Sequence, residues 1–256
     1  MKANPYKIDT PSRNKLLPNS DPSYGDLIVE IGCLFINTPY KAGTLECPGK
    51  EKLVVNLSSF DCTTFVETVL ALTLCAAAGN ISRYEFKKNL KLIRYRQGRI
   101  DGYSSRLHYF TDWLSDNENK KIITDISRHL GGKPQRKKIN FMTTHRELYA
   151  VLKNETERSK VSLIEKNLSR KTFYIIGKDN FDAKKKELKN GDVIAFATGE
   201  EGLDLRHTGF ALWQGKNLHL LHASRKDGCV VISTKTLSAY LKQNKKFSGI
   251  IVARLL

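Results

Sequence analysis

The chain has 256 residues, 40% of them hydrophobic, enough to bury one sizeable core, and nothing in that length forces a second domain. Lys and Arg number 43 against 26 Asp and Glu, a net charge of +17 that calls for an anionic partner: nucleic acid, a membrane surface or carboxylate-rich cell-wall fragments. No window approaches the roughly 18 apolar residues of a membrane span, and Met1 to Lys7 lacks the apolar core of a signal peptide, so no transmembrane segment is expected.

Residues 1–24, rich in Pro, Asn, Ser and Lys without apolar periodicity, read as an N-terminal arm, and residues 25–256 as a single domain. An amphipathic pattern predicts a helix over Tyr24–Phe35, broken by the turn Asn37-Thr-Pro-Tyr40. Asp61 then precedes a run from Cys62 to Ala78 in which Phe65, Val69, Leu72 and Ala76 fall on one helical face, and Gly79-Asn80 closes it. A large helical insertion is expected over about 83–180, with helices at Tyr84–Arg96, Thr144–Lys153 and Glu155–Leu168 between Gly-rich and polar loops. After Gly191 the period shortens to β runs at Asp192–Ala197, Thr208–Trp213, Leu218–Ala223, Cys229–Ile232 and Gly249–Arg254. The fold class is therefore α+β, helices first and an antiparallel sheet after them. The basic runs Lys133 to Lys138, Lys184 to Lys186 and Lys242 to Lys246 have no interleaved aromatic residues; they read as solvated faces, not as a nucleic-acid surface.

Five cysteines without close pairs leave at least one free thiol and no metal-ribbon spacing. Cys75 and Cys33 sit among apolar neighbours and read as core. Cys62 differs. As N-cap, Asp61 places it at the first helical position, where unpaired N–H groups and the helix dipole favour a thiolate and can also donate to an oxyanion. Of the six histidines, two fit a catalytic pair. If Gln214-Gly-Lys-Asn217 is a hairpin turn, Trp213 pairs with Leu218 and Gly209 with His222, so that His207 and His222 share a sheet face and His219 falls on the other. A thiol, a base and a group that orients the base are the parts of a cysteine hydrolase.

With these residues in hand, the sequence resembles the NlpC-type papain-like cysteine peptidases of bacterial cell walls. Four segments carry the match, in order: Thr38-Pro-Tyr-Lys-Ala-Gly43, Phe60-Asp-Cys-Thr-Thr-Phe65, His207-Thr-Gly-Phe-Ala211 and Leu221-His-Ala-Ser224. A closer likeness is to the N-acetylmuramoyl-L-alanine amidase-like branch, through Gly43-Thr-Leu-Glu46, Asp61-Cys-Thr-Thr-Phe-Val-Glu67, Ser105-Arg-Leu-His-Tyr-Phe110, Asp112-Trp113 and Ile139-Asn-Phe-Met142. The resemblance implies a papain-like core, its nucleophile helix packed on the antiparallel sheet. It implies hydrolysis of the N-acetylmuramoyl–L-alanine amide in small 1,6-anhydro muropeptides, with a cell-wall endopeptidase cutting between stem residues two and three as the alternative. Cys62, His207 and His222 are then catalytic, and Tyr40, Glu46, Arg106, His108 and Tyr109 contact substrate. No metal or cofactor is required, and the expected place of action is the periplasm or cell envelope, with the cytoplasm as the alternative. Three other classes compete: a zinc hydrolase built on His207, His222 and Asp204, a nucleic-acid-binding module, and an inactive wall binder.

Overall fold

The computed structural model describes residues 23–47 and 49–256. All of the expected arm but its last two residues lies outside the described residues.

Helix α1 (Tyr24–Cys33) starts at Ser23, whose hydroxyl accepts from the Asp26 N–H. Helix α2 (Cys62–Ala77) begins with a capping box: the Asp61 carboxylate accepts from the Thr64 N–H at 2.8 Å, and the Thr64 hydroxyl accepts from the Asp61 N–H at 2.9 Å. Most of α2 is buried, because α1 and α3 (Arg83–Arg94) flank it while Phe65 meets Phe210 of the sheet edge-on at 5.8 Å. Each such apolar side chain contributes about 1.5–3 kcal/mol on burial. One charge is caught in this packing. Glu67 of α2 is buried and is answered by Arg94 of α3 at 2.6 Å, a pair whose halves cannot be removed singly without stranding the other.

The sheet has eight strands, and all its pairings are antiparallel. They are β1 (Ile123–Asp125), β2 (Lys133–Gln135), β3 (Phe173–Gly177), β4 (Val193–Thr198), β5 (Leu205–Gln214), β6 (Asn217–Ser224), β7 (Cys229–Ile232) and β8 (Phe247–Leu255). The order is β2-β3-β8-β4-β5-β6-β7, with β1 also pairing β8. Alternation along the strands covers both faces: Val193, Ala195, Phe210 and Leu221 join the core under α1–α3, whereas Ile194, Phe196, Ala211 and Leu220 join a second core. That second core is closed by α7 (Lys178–Lys184) and α8 (Leu237–Gln243), for which Phe181, Leu237 and Leu241 supply the apolar contacts. The expected hairpin is present, with Trp213 opposite Leu218 and Gln214 opposite Asn217.

The stretch 83–180 is not purely helical, as the sequence pattern had implied. It supplies β1, β2 and β3 to the sheet besides α4 (Phe110–Asn119), α5 (Phe141–Thr144) and α6 (Glu155–Arg170). The helix expected over Thr144–Lys153 is instead two 3₁₀ turns, Arg146–Leu148 and Ala150–Lys153, interrupted where His145 and Tyr149 leave helical dihedrals. This stretch also builds its own small core from Tyr103, Tyr109, Ile139, Met142, Leu152 and Val161.

Candidate active site

Rungs between β5 and β6 run no further toward the start of β5 than Phe210–Leu221, yet β5 continues along β4 to Leu205. The backbone of Thr208, beyond that last rung, is thereby left to act on the Cys62 thiol, whose anion it favours together with the hydroxyl and N–H of Thr63. The thiol keeps some accessible surface at the floor of a cleft of about 180 Å³, lined also by His207, His108, Tyr109, Phe141, Tyr149 and Asp204.

His207 Nε2 lies 2.6 Å from His222 Nδ1, with the rings nearly perpendicular at 82°. Only one of these nitrogens carries the proton. For His207 to accept a proton through Nδ1, Nε2 must be the donor and His222 Nδ1 the acceptor, which fixes both tautomers. Gly209 makes room for the pair: a Cβ there would stand 2.8 Å from both the His222 Cβ and the Leu221 carbonyl.

Burial sets the charge state. It pushes the Cys62 thiol up to about 11, an effect reinforced by the Asp61 carboxylate and opposed by the Thr208 and Thr63 hydrogen bonds. It also depresses His207 to about 3, helped by His222, and His222 itself to about 4, against the pull of the Asp227 carboxylate. The resting pair is therefore a neutral thiol and a neutral imidazole, not a preformed ion pair. Asp61 has two opposed effects: its cap starts the helix whose N-terminus favours an anion, and its charge disfavours that anion.

Tyr40 is set beside this centre by a bridge to Phe60, and its hydroxyl is raised to about 12 by burial and then by the thiol's charge. His108 lines the cleft. Its Nε2 donates to the Tyr103 carbonyl at 2.8 Å, and burial followed by the charge of Arg106 depresses it to about 3, so Nδ1 is a lone-pair acceptor. Tyr109 lines the cleft too, but its hydroxyl is committed, donating to Glu165 at 2.7 Å and accepting from the Met142 N–H at 2.9 Å. Glu46 and Arg106 line a neighbouring recess and pair with each other at 2.8 Å, under a Tyr103 ring 4.9 Å from the guanidinium. Asp204 faces the cleft, but its carboxylate accepts from the N–H and hydroxyl of Thr111 at 2.8 and 3.0 Å. Among the described residues no group of three His, Cys, Asp or Glu side chains is placed to hold a metal ion.

A family model described as N-acetylmuramoyl-L-alanine amidase-like matches residues 30–250. The chain belongs to that family. An N-acetylmuramoyl-L-alanine amidase from Bacteroides uniformis is 40% identical, with 91% of this chain and 99% of that one aligned at a TM-score of 0.87. A Bacteroides fragilis protein provisionally named a xylanase is 42% identical over 88% of this chain and 99% of its own, with a TM-score of 0.83. A Legionella pneumophila protein at 22% identity and a TM-score of 0.70, over 92% and 90% of the two chains, shares the fold. Comparison with curated proteins finds no match.

Two groups of this amidase-like site carried no sequence signal. Asp227, in the β6–β7 turn, accepts from the Ser224 hydroxyl at 2.5 Å and acts on His222 through its charge. Tyr240 of α8 packs against both His207 and His222, at ring-centre distances of 5.4 Å from His222 and 6.2 Å from His207. The separation of 224 from 227 offered a turn but no chemistry, and a tyrosine in a late amphipathic helix looks like any half-buried aromatic residue.

Proposed function

We propose that this chain is an NlpC-type, papain-like cysteine amidase that cleaves the N-acetylmuramoyl–L-alanine amide of small 1,6-anhydro muropeptides. The observation that carries the mechanism is the 2.6 Å His207–His222 hydrogen bond opening onto the cleft that holds Cys62. The thiol proton passes to His207 as Cys62 Sγ attacks the lactyl carbonyl carbon, and the oxyanion forms near the Cys62 N–H at the start of α2. As the tetrahedral intermediate collapses, the C–N bond breaks and His207 returns the proton to the L-alanine nitrogen. Water, deprotonated by His207, then hydrolyses the thioester and frees the muramoyl carboxylate and the thiol. His222 holds the base in its tautomer throughout.

The cleft admits only part of a substrate. A volume of about 180 Å³ is below the roughly 300–1,000 Å³ that encloses a drug-sized ligand, so it takes only the reacting end. Phe141 and Tyr149 at the rim offer faces to a sugar, and the neutral His108 accepts one donor hydrogen bond from it. A glycosidase, the activity named for the Bacteroides fragilis relative, needs two carboxylates flanking the bond. Asp204 is the sole carboxylate among the described lining residues, and Thr111 holds it. The family supports action in the cell envelope or periplasm; no helix among the described residues is long and apolar enough to cross a membrane.

Incubation with a purified anhydro-muropeptide tests the bond. An intact stem peptide beginning with L-alanine is expected, and a sugar that keeps a dipeptide would replace the amidase with the endopeptidase.

A further inference from the structure

We infer that Tyr240 is a positioning residue of the catalytic pair, its ring shielding both imidazoles from water and fixing the angle at which His222 meets His207. The inference rests on reading His207 as the base of Cys62.

Helix α8 is built to hold this ring. Thr236 caps it, Leu237 and Leu241 bury it on the second core, and Asp182 of α7 ties it down by accepting from Ser238 at 2.6 Å and pairing with Lys242. That anchoring leaves Tyr240 against Phe196 at 5.4 Å and Phe247 at 6.0 Å, two rings of the second core. It meets His222 edge-on at 74° and lies tilted at 36° to His207, while Phe196 stands 5.8 Å from His207. An edge-to-face aromatic contact is geometrically selective, so it resists rotation of the ring that must keep Nδ1 toward His207. The same ring occupies space that water would otherwise take, and removal of water is the first cause of the low values of both imidazoles.

Other charged or titratable groups reach this centre from every side: Cys62 and Asp61 from α2, Tyr40 from the turn after α1, Asp227 from the β6–β7 turn, and Arg206 from β5. None of them is removed when only residue 240 is changed.

The test is an NMR titration of the imidazoles in wild type, Tyr240→Phe and Tyr240→Ala, which needs no turnover and so stands even if the amidase reading fails. Tyr240→Ala is expected to raise the His207 and His222 values by a pH unit or more toward 6.5, whereas Tyr240→Phe keeps them low. In the same samples His108, which is set by Tyr103 and Arg106 and not by α8, must keep its low value if the fold is intact. Should Tyr240→Ala open the fold, Tyr240→Met serves the same comparison with less volume lost. Unchanged imidazoles in a folded Ala or Met variant would overturn the inference, as would equal shifts in the Phe variant, which would transfer the role from ring to hydroxyl.

Discussion

The two walls of the cleft treat their polar groups in opposite ways. On the sheet side, burial holds Cys62, His207 and His222 neutral, the two imidazoles are bonded to each other, and among the described residues no ion pair balances them. On the other side Tyr109, which lines the cleft, is committed to Glu165, and outside the cleft the same stretch closes Arg106 on Glu46 and Arg96 on Asp112 at 2.7 Å. In the proposed mechanism a neutral thiol–imidazole pair gains charge only during reaction, so the donors around it act where charge develops. The insertion wall gives shape and leaves few free groups, chiefly the His108 Nδ1, for recognition.

The largest expected effects fall on the sheet side. Cys62→Ala should remove turnover, a loss of about 10⁴-fold or more, with the circular dichroism spectrum and melting unchanged. His207→Ala should cost about 10³-fold in kcat, and His222→Ala only about 10–100-fold, because an orienting group transfers no proton. Equal losses for the two histidines, measured by product release, would dissolve the division of roles.

On the insertion side the expected damage is to stability. Glu165 is buried and receives the hydroxyls of Tyr109 and Thr143 and the Thr143 N–H. Glu165→Ala strands these donors and should lower denaturant stability by about 2–4 kcal/mol. A midpoint unchanged in urea would show that this wall is softer than its hydrogen bonds imply.

Acid distinguishes the walls less sharply, since both contribute. His207, His222 and His108 have folded values of about 3 to 4, below the ordinary 6.5, so the unfolded chain binds more protons between those limits. Stability is therefore full above pH 6.5 and is lost as pH falls toward 4, by up to about 1.4 kcal/mol per pH unit for each histidine. Chemical denaturation at pH 7 and pH 5 measures it, and equal stability at both would contradict the burial of these rings. The smallest effect is expected at the cap. Asp61→Asn keeps an N-cap but removes a charge that raises the thiol, so alkylation of Cys62 at pH 8 should quicken by a few-fold. A slower reaction would mean that the carboxylate favours the thiolate after all.

Much of the sheet side was legible in the sequence because its signals are local. Asp61 before an apolar periodic run marks a helix start, and a four-residue turn fixes the register that brings His207 and His222 together. The insertion was less legible because its elements hide polar residues. Helix α4 buries Asp112, Asp116 and Asn117, each satisfied by a distant partner, and such a composition reads as a loop. Strand β2, Lys-Pro-Gln, is exposed throughout and exists only through its pairing with β3. Glu46 and Arg106 are brought together as an ion pair outside the thiol's cleft, an outcome that motif position alone does not distinguish from substrate contact.

The central claim is that Cys62 becomes acylated by the sugar half of the substrate. Rapid acid quenching of the enzyme during turnover of an anhydro-muropeptide, followed by peptide mass spectrometry, reads this directly. The account predicts a transient adduct on the Cys62 peptide with the mass of the anhydro-muramoyl acyl group and no amino acid attached. Turnover that proceeds with no adduct on Cys62, and that stops on chelation and not on alkylation, would contradict it.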